Sequence, residues 1–150
     1  MTSESSKFLP DTSCMVAAVC GWHEHHERAA GEINRRLDSG EAMVIAGPAL
    51  VESYAVLTRL PPPYRLSAGD ALRVLELSFM NVSTELAVLS EEGYRDLLLE
   101  GPRRDITGGR MYDAVILACC VAAQVDVLLT FNERDFGRLA PERLALVVPR

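Results

Sequence analysis

The sequence predicts an α/β fold of three layers, in which a largely parallel sheet is covered by helices on both faces. Two observations carry this expectation. Short apolar strands alternate with helical stretches along the whole chain, the pattern that β–α–β crossovers require. The length of 150 residues, 49% of them hydrophobic and 24% charged, also suits one folded unit with a substantial core.

Lys7 to Pro10 reads as a short strand, with the proline confined to the end of the ladder because it has no N–H to give. Asp11-Thr12-Ser13 then offers side-chain oxygens to the free N–H groups of a helix, which places Asp11 at a strand-to-helix turn. Helices are predicted over Ser13 to Cys20 and His23 to Ser39, the second stopped by Gly40, and Ala42 to Ala46 forms a strand. Gly47-Pro48 enters the next helix, Ala49 to Leu60, which Pro61-Pro62-Pro63 ends. A helix from Ser67 to Ser78, a brief strand around Val82 and a helix from Ser90 to Glu100 follow. Gly101 to Gly109 reads as a charged loop. Arg110 to Gln124 has no polar face except near its ends and predicts a buried helix, with Asp113 in its first turn. Val125 to Thr130 is an apolar strand, Phe131 to Arg138 a loop, and Leu144 to Val148 the last strand.

A single domain over residues 1–150 is expected, with Met1 to Ser6 as a loose end. The longest apolar run, Ala114 to Ala123, is about half of the roughly 20 residues a spanning helix needs, and no basic-then-apolar signal opens the chain. A cytoplasmic protein without membrane contact is therefore expected. Cys14, Cys20, Cys119 and Cys120 have neither CxxC spacing nor a zinc pattern and read as reduced, buried thiols. The net charge of −6 argues against a generally basic nucleic-acid surface, yet Lys7 is the only lysine. Arginine can grip phosphate through two N–H groups, so Arg103, Arg104, Arg110 and Arg134 are candidates for a local phosphate guide.

Four acidic residues stand beside strongly apolar sequence: Asp11, Glu52, Asp113 and Asp135. Desolvating unpaired carboxylates costs several kcal/mol, and a bound cation offsets that cost. In an open parallel sheet functional loops gather beyond the carboxyl ends of strands, where all four can converge. Hard oxygen donors select Mg²⁺ or Mn²⁺, which can generate hydroxide from water; two ions roughly 4 Å apart can stabilise both oxygens of a phosphodiester displacement. Asp11 and Asp113 are the expected central ligands. Glu52 would ligate through water or orient the nucleophile, and Asp135 would complete a second position. Thr12, Ser13 and Asn132 are neutral and suited to orienting carboxylates or substrate. Each acid also has a structural alternative: Asp11 as a helix cap, Glu52 as a partner of a helix dipole, Asp135 as a turn residue. His23, His25 and His26, interleaved with Glu24 and Glu27, read as a solvated helix start outside the site.

These residues resemble the PIN-domain ribonucleases, and within them the VapC-type toxins of bacterial toxin–antitoxin pairs. The resemblance rests on Phe8-Leu9-Pro10-Asp11-Thr12-Ser13, on Val51-Glu52-Ser53-Tyr54 through Arg59, on Tyr112-Asp113-Ala114-Val115-Ile116 and on Thr130-Phe131-Asn132-Glu133-Arg134-Asp135-Phe136, in that order and spacing. It implies a PIN-like α/β/α sandwich, Mg²⁺- or Mn²⁺-dependent cleavage of RNA, a homodimer and a small cognate antitoxin. Two residues depart from the pattern. Asn132 stands where many members carry an acid, leaving Asp135 as the nearest substitute, and Pro10 replaces a more usual apolar strand residue.

Other acidic-pocket folds fit less well. A phospho-signalling receiver needs a late lysine, an aspartyl-nucleophile hydrolase wants Asp-x-Asp, and a dinucleotide fold wants G-x-G-x-x-G after the first strand; this sequence has none of them. The competing expectation is a PIN-like fold of weak or no activity that binds protein or RNA, an alternative that Asn132 keeps open.

Overall fold

The computed structural model describes residues 5–150. The loose end expected over Met1 to Ser6 lies outside the described residues for 1–4, and Ser6 is held, its carbonyl accepting the Ala42 N–H at 2.9 Å. The elements run β1 (Lys7–Pro10), α1 (Thr12–Val19), α2 (His26–Asp38), β2 (Ala42–Ala46), α3 (Gly47–Arg59), α4 (Ala68–Phe79), β3 (Glu85–Ala87), α5 (Glu91–Arg103), α6 (Arg110–Ala122), β4 (Val127–Leu129), α7 (Glu133–Gly137) and β5 (Ala145–Val147).

The five strands are all parallel in the order β3-β2-β1-β4-β5. The chain winds outward from β1 to β3, then crosses back to lay β4 on the other side of β1. Right-handed crossovers put α1 to α4 on one face and α5 to α7 on the other, and the packing of α1 on α2 and α3, and of α6 on α5 and α7, follows that division. The expected three layers and parallel sheet are what the chain forms. Because the winding direction reverses between β1 and β4, the crevice beyond their carboxyl ends is the topological switch point.

Phe8 and Leu9 point to opposite faces of β1 and both are fully buried, so the central strand feeds the core of both layers. Leu57 is fully buried on α3, the helix that carries Glu52. Leu57→Ala should cost about 2–5 kcal/mol, read as a lower urea midpoint with an unchanged slope.

Several boundaries differ from expectation for identifiable reasons. The third strand is Glu85–Ala87 rather than a segment around Val82, which is fully exposed; the Asn81 carboxamide oxygen accepts from the Ser83 N–H and hydroxyl and from Thr84, turning the chain there. Helix α5 continues through Gly101-Pro102, with Gly101 buried against the Met111 methyl of α6. Asp105, with φ of 52°, then takes the left-handed turn that frees the chain. Helix α6 ends at Ala122, where Gln124 adopts φ of 58°, and it is buried on one side only, with Tyr112 and Val121 exposed. The loop expected at Phe131 to Arg138 contains α7, anchored by buried Phe136. All four cysteines are free and buried, and burial pushes the Cys120 thiol up to about 12.

Candidate active site

Asp11 follows β1 directly and caps α1. Its backbone N–H donates to the Leu129 carbonyl at 2.9 Å, tying the end of β1 to β4. Only 3% exposed, its carboxylate is fixed by three donors: the Cys14 N–H at 2.9 Å and the Ser13 hydroxyl at 2.6 Å to Oδ1, and the Thr130 hydroxyl at 2.6 Å to Oδ2. Burial drives its pKa upward and these hydrogen bonds oppose that rise. The capping role and the site role of Asp11 are thus the same geometry.

Thr130 and Ser13 lock the two strand ends together. The Thr130 hydroxyl also accepts the Asn132 N–H at 2.8 Å, and the Ser13 hydroxyl accepts the Phe131 N–H at 3.4 Å. Glu52 reaches the same crevice from α3. Ser53, fully buried, donates to the Met15 sulfur at 3.7 Å and seats α3 on α1, while the Thr12 hydroxyl donates to Glu52 Oε2 at 3.1 Å.

Asp113, in the first turn of α6, faces this group across the crevice. Its pKa is raised first by burial and then by the negative charges of Asp135, Asp11 and Glu52, with Arg110 acting in the opposite sense. The four carboxylates are therefore one electrostatic cluster, with Arg110 beside it. Asp11, Thr12, Ser13, Glu52, Asp113 and Asn132 line a cleft of about 600 Å³. Asp135 is exposed on α7 outside that lining, and reaches the cluster through its charge. Arg134 is exposed and, among the described residues, makes no hydrogen bond or ion pair to the cluster. Arg103 pairs with Glu100 and Arg104 donates to the Leu139 carbonyl, both away from the cleft.

Oxygen donors of like charge in a shared cleft are the chemistry a small divalent cation would satisfy. Among the described residues no three His, Cys, Asp or Glu side chains already stand as a cage for an ion. Asp11 is held by three protein donors and Glu52 by Thr12. Mg²⁺ needs only one or two carboxylates together with water and phosphate. The donor set fits.

Residues 8–141 match the PIN domain family. The chain belongs to the PIN-domain family. Its VapC-type character is carried by Ribonuclease VapC40 of Mycobacterium tuberculosis, 37% identical over 119 residues that cover 79% of this chain and 82% of that protein. The PIN fold is shared with the crystal structure of the Mycobacterium tuberculosis toxin VapC20, which cleaves the sarcin–ricin loop, with a TM-score of 0.68 and 15% identity over 90% of this chain and 97% of that one. It is shared too with VapBC2 from Rickettsia felis bound to a DNA fragment from its promoter, with a TM-score of 0.67 and 17% identity over 96% and 99% of the two chains.

Against the motifs that carry the PIN resemblance, two features of the cleft went unread in the sequence. Thr130 looked like the last residue of an apolar strand, but it is the buried hydrogen-bond bridge between Asp11 and the Asn132 turn. His23 and His25 lie in the turn before α2 rather than on its solvated start, and both line the acidic cleft. The one available signal was the Gly21-Trp22 pair, a poor continuation of a helix. Burial and the neighbouring His25 lower the pKa of His23.

Proposed function

We propose that this PIN-domain chain is the endoribonuclease toxin of a toxin–antitoxin pair, hydrolysing RNA phosphodiesters with water activated by Mg²⁺ or Mn²⁺ at the acidic cluster. The observation that carries it is the convergence of Asp11, Glu52 and Asp113 on one cleft at the switch point, with Asp135 close enough to act on Asp113 through its charge. The 37% identity to a protein named a ribonuclease supports the substrate class.

When bound, the cation supplies an acidified water and neutralises charge on the phosphate. Asp11 and Asp113 would hold it, Asp11 in a rotamer fixed by Ser13, Cys14 and Thr130. Glu52, steadied by Thr12, orients the attacking water, and Asp135 adds charge at a second position. Ser13 and Asn132 position the scissile group, while Arg110 and Arg134 attract its phosphates.

A second groove adjoins the cleft and shares Glu52, Tyr112 and Ile116 with it. Leu50, Val51, Leu86, Val88 and Tyr94 make it apolar, and Val51, Leu86, Val88 and Tyr94 are exposed. An amphipathic antitoxin segment laid there would cover the active site. The chain is read as a cytoplasmic homodimer; among the described residues no helix is long and apolar enough to cross a membrane.

New RNA 5′ ends should appear when the purified protein meets total RNA and Mg²⁺ or Mn²⁺, and vanish in EDTA. A folded protein that produces no ends with either metal would favour the second reading, a binding module, for which Asn132 is the specific observation: its amide adds no charge where a carboxylate would help hold a cation.

A further inference from the structure

We propose that the turn between α1 and α2, with Tyr64 and Phe131, forms a base-stacking track that leads single-stranded RNA into the acidic cleft. The inference rests on the reading that this chain acts on RNA. Five rings from three separate segments make a continuous row. Phe131 stacks on His25 with centroids 4.5 Å apart and planes at 24°, His25 lies 5.7 Å from His23, His23 lies 5.8 Å from Trp22, and Trp22 lies 4.3 Å from Tyr64. The inner three rings line the cleft that holds Asp11 and Asp113. The outer two, Trp22 and Tyr64, are 47% and 43% exposed, so the row runs from the reacting groups outward to solvent.

Trp22 and Tyr64 pack on each other at 4.3 Å and still leave nearly half of each residue in water. Their faces suit nucleobases, which stack on aromatic side chains regardless of sequence, and only unpaired bases have faces to offer. Charge points the same way. With a net charge of −6 and a cleft of carboxylates, the protein offers phosphates little general attraction beyond local arginines, so stacking on the bases supplies the larger share of the affinity. Arg28 reinforces the inner end: its guanidinium lies 5.7 Å from the Phe131 centroid and donates to His25 Nδ1 at 3.1 Å.

Trp22 is the only tryptophan, so its fluorescence reports on the track alone. In EDTA, a ten-nucleotide single-stranded oligoadenylate should quench that emission in the full chain, and a ten-base-pair RNA duplex should not. Trp22→Leu and Tyr64→Leu should each weaken binding of the labelled single strand about tenfold, with unchanged circular dichroism and melting. Raising salt from about 50 to 200 mM should weaken it less than about tenfold, far below the loss seen when many phosphates are gripped. Absence of quenching, or full binding by folded Trp22→Leu, overturns the track. Cleavage in Mg²⁺ or Mn²⁺ separates the two readings: cutting that persists without quenching leaves the nuclease and removes the track, whereas quenching without cutting keeps the track and removes the nuclease.

Discussion

Asp113→Asn should lower metal-supported RNA cleavage by about a thousandfold while leaving the metal-free protein folded and somewhat more stable at neutral pH. The two effects have one cause. Asp113 sits partly buried among the charges of Asp135, Asp11 and Glu52, and its folded-state pKa lies above the ordinary 3.8. An acid whose pKa is raised by folding binds protons more tightly in the native state, so its charge works against the fold once pH rises above 3.8. The penalty is absent below that value and is fully developed above the folded-state pKa. Asparagine carries no charge and escapes it. Thermal melts from pH 3.5 to 7 in EDTA should therefore show wild type falling behind Asp113→Asn as pH rises. Mn²⁺ should raise the wild-type melting temperature and leave the variant unmoved. Full cleavage by a folded Asp113→Asn protein would remove Asp113 from the metal site. A wild-type protein that gains on the variant as pH rises would contradict the crowding of these carboxylates.

The alternation of apolar strands with helices made the sheet legible, because its central strands are buried and the crossover helices are long enough to announce their period. The convergence of Asp11, Glu52 and Asp113 on one cleft was legible for a related reason: each lies near a strand end or a helix start, and for Asp11 the capping of α1 and the place in the cleft coincide. What escaped were features set by contacts between distant segments. Gly101-Pro102 reads as a breaker, yet it lies in the last turn of α5, packed against Met111 of α6. Asn81 creates its turn through side-chain acceptance, which moved the third strand to Glu85–Ala87. His23 and His25 enter the cleft because the turn between α1 and α2 packs against Phe131, which arrives from the other end of the chain. No periodicity within residues 20–26 encodes that meeting.

The hydrogen-bonding role of Thr130 is set by contacts between distant segments, and its replacement should have the second large effect. Thr130→Val keeps the shape but removes the hydroxyl that donates to Asp11 Oδ2 and accepts from the Asn132 N–H. Buried Asp11 then lacks one of its three donors while the Asn132 N–H turns to water in the cleft, a cost of about 1–3 kcal/mol in unfolding free energy. Cleavage should fall about 10–100-fold, as it does when a support behind a metal ligand is lost. A shift in pH dependence distinguishes positioning from simple destabilisation. Burial raises the Asp11 pKa and the Thr130 hydroxyl lowers it. Without that hydroxyl Asp11 holds its proton more tightly, protons compete better with the metal, and the acidic limb of the cleavage profile must move to higher pH. Thr130→Ser retains the donor and acceptor and should restore the wild-type limb while leaving a small methyl-sized loss of stability. A Val variant that is slow at every pH by one constant factor, with its acidic limb unmoved, would mean that Thr130 merely fills space behind Asp11.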